Sequence, residues 1–264
     1  MDFKFSHYIT ITTDFGYKDS FVGIVKGVIL KHNPYATIID ITHDISPQNI
    51  IEGAISIFTL KDSFPPNTIH LVIIDPTVGS SRDIILVKNG KYWFVLPDNG
   101  LISFIYFFDK KENFSVYNID LKEKNNISYT FHGRDVFAPI VGFLSANKLE
   151  KLIVEKKENF SLLNINYPKK EKKFIEGEII YIDHFGNAFL NIRKENLNDI
   201  ELKNLKCIYG ENIINFYESY YLVNKGEPLL LLNSFDFLEL AINNGNFSKE
   251  YNAQIGDKVI IELK

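Results

Sequence analysis

One cysteine, Cys207, stands among 264 residues, which excludes a disulfide framework and any zinc or iron–sulfur site built from cysteines. Arginine is almost as scarce: Arg82, Arg134 and Arg193 are three of 29 basic residues, the others being lysine. Positive charge is not in excess, since 33 acidic residues leave a net charge of −4. No global basic field is available to attract nucleic acid or an anionic membrane. No apolar run approaches the ~20 residues of a membrane-spanning helix. The opening, Met1 to His7, has no apolar segment of the signal-peptide kind. The expected setting is the cytoplasm. Several nucleotide and hydrolase signatures are also missing: no Gly-x-Gly-x-x-Gly follows the first strand, and there is no Walker loop, His-Glu-x-x-His or Gly-x-Ser-x-Gly. Internal repeats and low-complexity tracts are absent as well.

What remains is a chain that can build a large core, with 45% hydrophobic residues, 22 Phe and 14 Tyr. The first half alternates strand-like and helix-like patterns. Residues 8–13, 37–42 and 69–74 read as buried strands. A helix carrying Phe21, Ile24, Val25, Val28 and Ile29 on one face, capped by Asp19 or Ser20, follows the first, and residues 49–60 form a second helix. Gly23 and Gly27 are expected to let that first helix pack closely on a neighbour. Asn89-Gly90 between residues 84–88 and 91–96 is a hairpin signal, and residues 137–144 form a helix. Apolar strands separated by helices predict an α/β domain with a mostly parallel sheet. The polar, proline-broken stretch around residues 167–173 reads as a connector. Beyond it, short strands at 175–183, 188–192, 212–216, 229–233 and 258–263 predict a smaller C-terminal β-barrel. The expected division is 1–167, a linker at 168–173, and 174–264.

Polar residues gather just past the carboxyl ends of the apolar strands, where open α/β sheets place their sites. These are Asp14, His43-Asp44, Asp75 with the loop to Arg82, Asp98-Asn99-Gly100, and His132-Gly133-Arg134-Asp135 before the last helix. Each has a plainer reading, a strand-end Asp being often a helix cap or Asx turn. Asp135 reads equally as a helix N-terminal acid. The plainer reading is harder to sustain for the group, because strand ends of one sheet converge. Nothing in the spacing of Asp14, Asp40, His43, Asp44 and Asp75 singles out a metal. In the second half, Asp183-His184-Phe185-Gly186-Asn187 offers an acid, an exposed-ring candidate and an amide able to read adenine. A hairpin turn with a buried Phe is the alternative. Residues 233–241 read as a turn between strands, with Ser234 capping.

These segments together resemble the S-adenosyl-L-methionine (SAM) hydroxide adenosyltransferase family, the adenosine-forming SAM hydrolases. The resemblance is carried by Thr12-Thr13-Asp14-Phe15-Gly16, Phe21 to Gly27, Asp40-Ile41-Thr42-His43, Asp75-Pro76-x-Val78-Gly79-x-x-Arg82, Pro97-Asp98-Asn99-Gly100 and Thr130-Phe131-His132-Gly133-Arg134-Asp135. Ile182 to Asn187 and Asn233-Ser234 extend it through the second half. It implies a homotrimer needing no cofactor or metal, with SAM and adenosine as ligands and sites between one copy's N-terminal domain and the next copy's C-terminal domain. By motif position it assigns Asp75, Arg82 and His132 to the attacking water and Asp14 to the ribose hydroxyls. Asn187, Glu239 and the backbone near Ile242 would read adenine, with Phe185 against the ring. Asp183 and Ser234 would hold the amino-acid end. Thr77 stands where Gly is common, Ser80 where Thr is usual, and Phe235 where the related halogenases carry Arg.

An acid, a permanent cation and an imidazole suit this chemistry, because displacing a neutral thioether from a sulfonium needs no acid while water must be held in line. The expected function is therefore SAM hydrolysis. Two alternatives stand beside it: a SAM- or adenosine-binding sensor, and halide-dependent displacement. The second is disfavoured by an Asp where halogenases carry Tyr, and by His132-Gly133 where they carry Tyr-Ser.

Overall fold

The computed structural model describes residues 3–60, 63–124, 126–198 and 200–263. Met1 and Asp2, part of the opening read above for a signal segment, lie outside them. The chain forms two compact units, Met1–Leu163 and Asn164–Lys264.

In the first unit the strands are β1 (Tyr8–Thr13), β2 (Thr37–Thr42), β3 (Ile69–Ile73), β4 (Ile84–Asn89), β5 (Tyr92–Pro97), β6 (Ser115–Leu121) and β7 (Leu152–Lys156). They form one sheet in the order β2-β1-β3-β5-β4-β6-β7. The pairs β1/β2, β1/β3 and β3/β5 are parallel, whereas β4/β5, β4/β6 and β6/β7 are antiparallel. The hairpin at Asn89-Gly90 forms one residue later than its pattern suggests. Asn89 pairs with Tyr92, and Gly90 supplies the positive φ of +57° that the two-residue turn requires.

Helices α1 (Phe21–His32), α2 (Ile50–Phe58), α3 (Ser103–Phe108) and α4 (Ala138–Ser145) complete this unit. In α1 the buried stripe is Val22, Val25 and Ile29, a true i, i+3, i+7 face. Phe21 and Ile24, expected on that face, are exposed. Ser20 occupies the N-cap without a side-chain hydrogen bond. A Cβ on Gly23 or Gly27 would meet nothing within 4 Å, so the expected close packing there does not occur among the described residues. Asn49 does cap α2, its side chain accepting from the Glu52 amide at 3.1 Å. A π-type turn, Gly133–Phe137, leads into α4. Ile9, Ile11, Leu71, Trp93, Phe137 and Val141 anchor the core, each contributing on the order of 2–3 kcal/mol by leaving water.

The second unit contains β8 (Lys169–Lys170), β9 (Phe174–Ile182), β10 (Ala188–Arg193), β11 (Lys206–Tyr209), β12 (Asn212–Asn215), β13 (Pro228–Leu232), β14 (Phe237–Ile242), α5 (Phe247–Glu250) and β15 (Lys258–Glu262). The sheet order is β12-β11-β15-β9-β10-β14-β13, all antiparallel. A bridge between Phe216 and Leu230 ties the two edges and nearly closes the barrel. Residues 169–170, inside the stretch read as a connector, pair with Glu176 and Ile175 of β9. Phe237–Ile242 is a fully buried strand, although residues 237–241 read as part of a turn.

Candidate functional site

Register places the acids of the first unit. Thr13 at the end of β1 lies opposite Ile73 at the end of β3, so Asp14 and Asp75 leave the same edge of adjacent strands. The loop after Asp75 turns back through Gly79, whose φ is +85°. A Cβ there would sit 2.4 Å from the Tyr129 carbonyl oxygen, so only glycine allows these two loops to meet. That approach brings Arg82 to His132.

Arg82 grips Asp75 through its fork. Nε donates to Oδ1 and Oδ2 at 2.8 Å each, and Nη2 donates to Oδ2 as well. The side chains are only 8% and 5% exposed. Such a buried, forked pair holds its geometry far better than a surface ion pair. Arg82 Nη2 also lies 3.1 Å from His132 Nδ1. Arginine can only donate, so Nδ1 is the acceptor and the neutral ring carries its hydrogen on Nε2. Burial lowers the His132 pKa below its ordinary value, and the Arg82 charge lowers it further against the opposing pull of Asp75. The ring therefore accepts at Nδ1 from Arg82 and is left able to donate at Nε2.

Thr77 and Ser80, the two departures in this loop, are both engaged. Thr77 Oγ1 donates to Asp75 Oδ1 at 3.2 Å, and Ser80 Oγ accepts from the Arg82 amide at 3.3 Å. A cavity of about 340 Å³ is lined by Asp14, Phe15, Phe21, Asp75, Phe131 and His132 among others. A second, of about 370 Å³, is lined by Arg82, His132, Asn118 and Lys124. The three residues thus form a partition that His132 faces on both sides. Asp14 Oδ2 accepts from the Gln48 amide at 2.8 Å, with Gln48 at a φ of +66°. Asp135 takes its plainer reading in the first helical turn, where it binds Arg134 and the Ser128 amide. Asp98 is neither cap nor Asx turn, since it accepts from the distant Ser161 amide and pairs with Lys157.

In the second unit, Asp183 organises its own turn. Its Oδ1 accepts from the amides of Phe185 and Asn187, and its Oδ2 from Asn187 Nδ2 at 3.0 Å. Gly186 there has a φ of +87°, and Phe185 is 70% exposed. The alternative of a buried Phe is therefore overturned. Glu239, 2% exposed, accepts from Tyr220 Oη at 2.6 Å and Asn233 Nδ2 at 3.1 Å. Burial raises its pKa, the two hydrogen bonds pull the other way, and nearby Asp183 adds to the rise. Asn233 also accepts from the amides of Phe235 and Phe237, leaving Ser234 exposed at the tip. Ile242 ends β14, its carbonyl accepting from the Gly245 amide.

Tyr220 and Asn233 escaped the sequence reading as parts of this cluster. Tyr220 sits in a single 3₁₀ turn within an irregular stretch that carries no periodic signal. Among the described residues no group of three or more His, Cys, Asp or Glu side chains is placed to hold a metal ion. No helix among them is long and apolar enough to cross a membrane. His70 is buried, its pKa pushed down to about 3 by loss of solvent. It lines a separate hollow of about 30 Å³.

Comparison with known proteins places this geometry in context. A (R)-S-adenosyl-L-methionine hydrolase of Methanocaldococcus jannaschii is 39% identical, the match covering 96% of this chain and 95% of the relative. One of Thermus thermophilus is 27% identical over 89% of this chain and 91% of the relative. The crystal structure of an uncharacterized conserved protein from Thermotoga maritima superposes with a TM-score of 0.86 at 32% identity, covering 96% of this chain and 99% of that one. The family descriptions for the N-terminal and C-terminal domains of SAM hydroxide adenosyltransferase match residues 9–153 and 177–260 respectively. With both halves matched in order, the chain belongs to the SAM hydroxide adenosyltransferase family.

Proposed function

We propose that this protein is a hydrolase that converts SAM to adenosine and L-methionine by attack of water at the ribose C5′. The observation that carries this reading is the Asp75/Arg82/His132 cluster on the wall of the cavity that also contains Asp14. In the reaction the C5′–O bond forms as the C5′–S bond breaks. The sulfur takes the bonding pair and leaves as a neutral thioether, and one proton passes to solvent. Since Arg82 occupies His132 Nδ1, the Asp75 carboxylate is the acceptor for the water's hydrogen, and His132 Nε2–H holds its oxygen. The permanent charge of Arg82 favours the neutral imidazole. The same carboxylate argues against a halide in this position, because an anion would meet another anion in a partly dry site.

Asp14 binds the ribose hydroxyls. Phe185, Asn187, Glu239 and the Ile242 backbone hold adenine, and Asp183 and Ser234 hold the amino-acid end. The relatives are named for the R configuration at sulfur, so this reading takes (R)-SAM as the first substrate to test. The protein acts in the cytoplasm as a homotrimer whose sites join the first unit of one copy to the second unit of another. The test is turnover of (R)- and (S)-SAM in heavy-oxygen water. Label is expected on the adenosine 5′-hydroxyl and none in methionine. Label in methionine overturns attack at C5′, and tight binding without turnover favours a sensor.

A further inference from the structure

The segment Asp40-Ile41-Thr42-His43 carries part of the family resemblance, yet none of its side chains lines the cavity beside Asp75. His43 is wholly buried at the end of β2, beside the end of β1. Its Nδ1 lies 2.8 Å from Thr13 Oγ1. Its Nε2 lies 3.1 Å from Asp40 Oδ1, misaligned for a straight hydrogen bond, and neither atom has another partner among the described residues. Lys26 Nζ fixes the other Asp40 oxygen at 2.6 Å. The Tyr17 ring stands edge-on to the imidazole with centroids 4.9 Å apart.

The direction of this chain follows from its ends. A carboxylate facing Nε2 keeps the hydrogen there, so Nδ1 accepts and the Thr13 hydroxyl donates to it. The Thr13 lone pairs then remain for the Phe15 amide, which donates to Oγ1 at 3.2 Å. The His43 carbonyl accepts from the Gly16 amide at 2.7 Å. The peptides on the C-terminal side of Asp14 are therefore tied to His43 twice, once through Thr13 and once directly. The Asp14 carboxylate is in turn fixed by the Gln48 amide.

We infer that Asp40, His43 and Thr13 form a positioning relay that sets the Asp14 carboxylate for recognition of a ribose diol. None of the three touches the ligand. They decide where Asp14 stands, and directional polar contacts do this better than packing because turning the imidazole over would set its lone pair against the Asp40 carboxylate. The inference rests on the reading of Asp14 as the residue that binds the ribose hydroxyls.

The test compares affinity for adenosine and 2′,3′-dideoxyadenosine by calorimetry in the full chain, with SAM kinetics alongside. The native protein is expected to prefer adenosine by about tenfold or more, since lost hydroxyls leave Asp14 without a partner. Thr13→Val removes only the hydroxyl and should reduce the preference to within about threefold. Thr13→Ser should retain it. In Thr13→Val the KM for SAM should rise several-fold more than kcat falls, a split that general loosening of the fold does not produce. Should Thr13→Val not fold, His43→Asn and His43→Gln give the same contrast. The shorter amide falls where Nδ1 is and keeps the preference, whereas the longer one reaches toward Nε2 and loses it. A native preference in Thr13→Val, or in His43→Gln, overturns the relay, provided Asp14→Ala has lost it. If Asp14→Ala itself keeps the preference, the reading of Asp14 fails and the relay falls with it.

Discussion

The two units hold polar clusters of opposite construction. In the first, Asp75, Arg82 and His132 come from segments up to 57 positions apart, and a permanent charge sits among them. In the second, Asp183, Asn187, Asn233 and Glu239 come from two hairpins, with Tyr220 bonded to Glu239, and are held by hydrogen bonds to amides and a phenol. The first arrangement is built to withstand change of charge, because the guanidinium fork keeps the acid in place. The second presents fixed acceptors and amides, which suits recognition of an uncharged ring. Chemistry and reading thus rest on different physical supports.

The largest effect should come from removing the cation. Arg82→Ala leaves the Asp75 carboxylate buried without its partner, so SAM turnover is expected to fall by about 10³-fold or more. Arg82→Lys keeps the charge but not the fork and should still lose about 10-fold or more. Asp75→Ala and His132→Ala should combine with it non-additively. Turnover in Arg82→Ala within tenfold of native would erase the contrast between the units. Next in size, Asn187→Ala should weaken adenosine and SAM together by about tenfold, about 1.4 kcal/mol, with kcat changed less than threefold. Calorimetry and steady-state kinetics check this, and a fall in kcat alone would move Asn187 to the chemical side of the comparison.

The smallest effect concerns pH. The His132 pKa is depressed, so its neutral form is favoured by the fold. Its contribution is present above the ordinary histidine value of about 6.5 and is lost as pH falls through the lower folded value. Turnover should therefore stay level from about pH 8 to 6.5 and decline only in more acid solution. In Arg82→Gln the decline should begin at higher pH, since a lowering charge has gone. A pH series of turnover for the native protein, with an NMR titration of His132 in both, measures this.

Sequence pattern disclosed the strands that aim Asp14 and Asp75, because buried β-branched runs and the acids that end them are local features. The meeting of Arg82 with His132 was legible only through the family resemblance, since it depends on an atomic approach between the Gly79 and Tyr129 backbones. Gly23 and Gly27 misled, because glycines four apart on a helix look the same whether or not anything packs on them. Glu239 was read within a turn because Asn233 to Asp236 is indeed one, and β14 begins immediately after it. The exposure of Phe185 follows from the hydrogen bonds of Asp183, which pattern alone does not reveal.

The approach of Gly79 to Tyr129 also bears on the order in which the chain acquires its parts. Asp75 and Arg82 are seven positions apart, and closing so short a loop costs little entropy. His132 lies 50 positions beyond Arg82, and β4, β5 and β6 must pair across that interval before its loop has anywhere to dock. Contacts of long sequence separation form late in folding. A refolding chain should therefore gain its acid and cation first and its imidazole last, with the 50-residue closure as the step that completes the cluster.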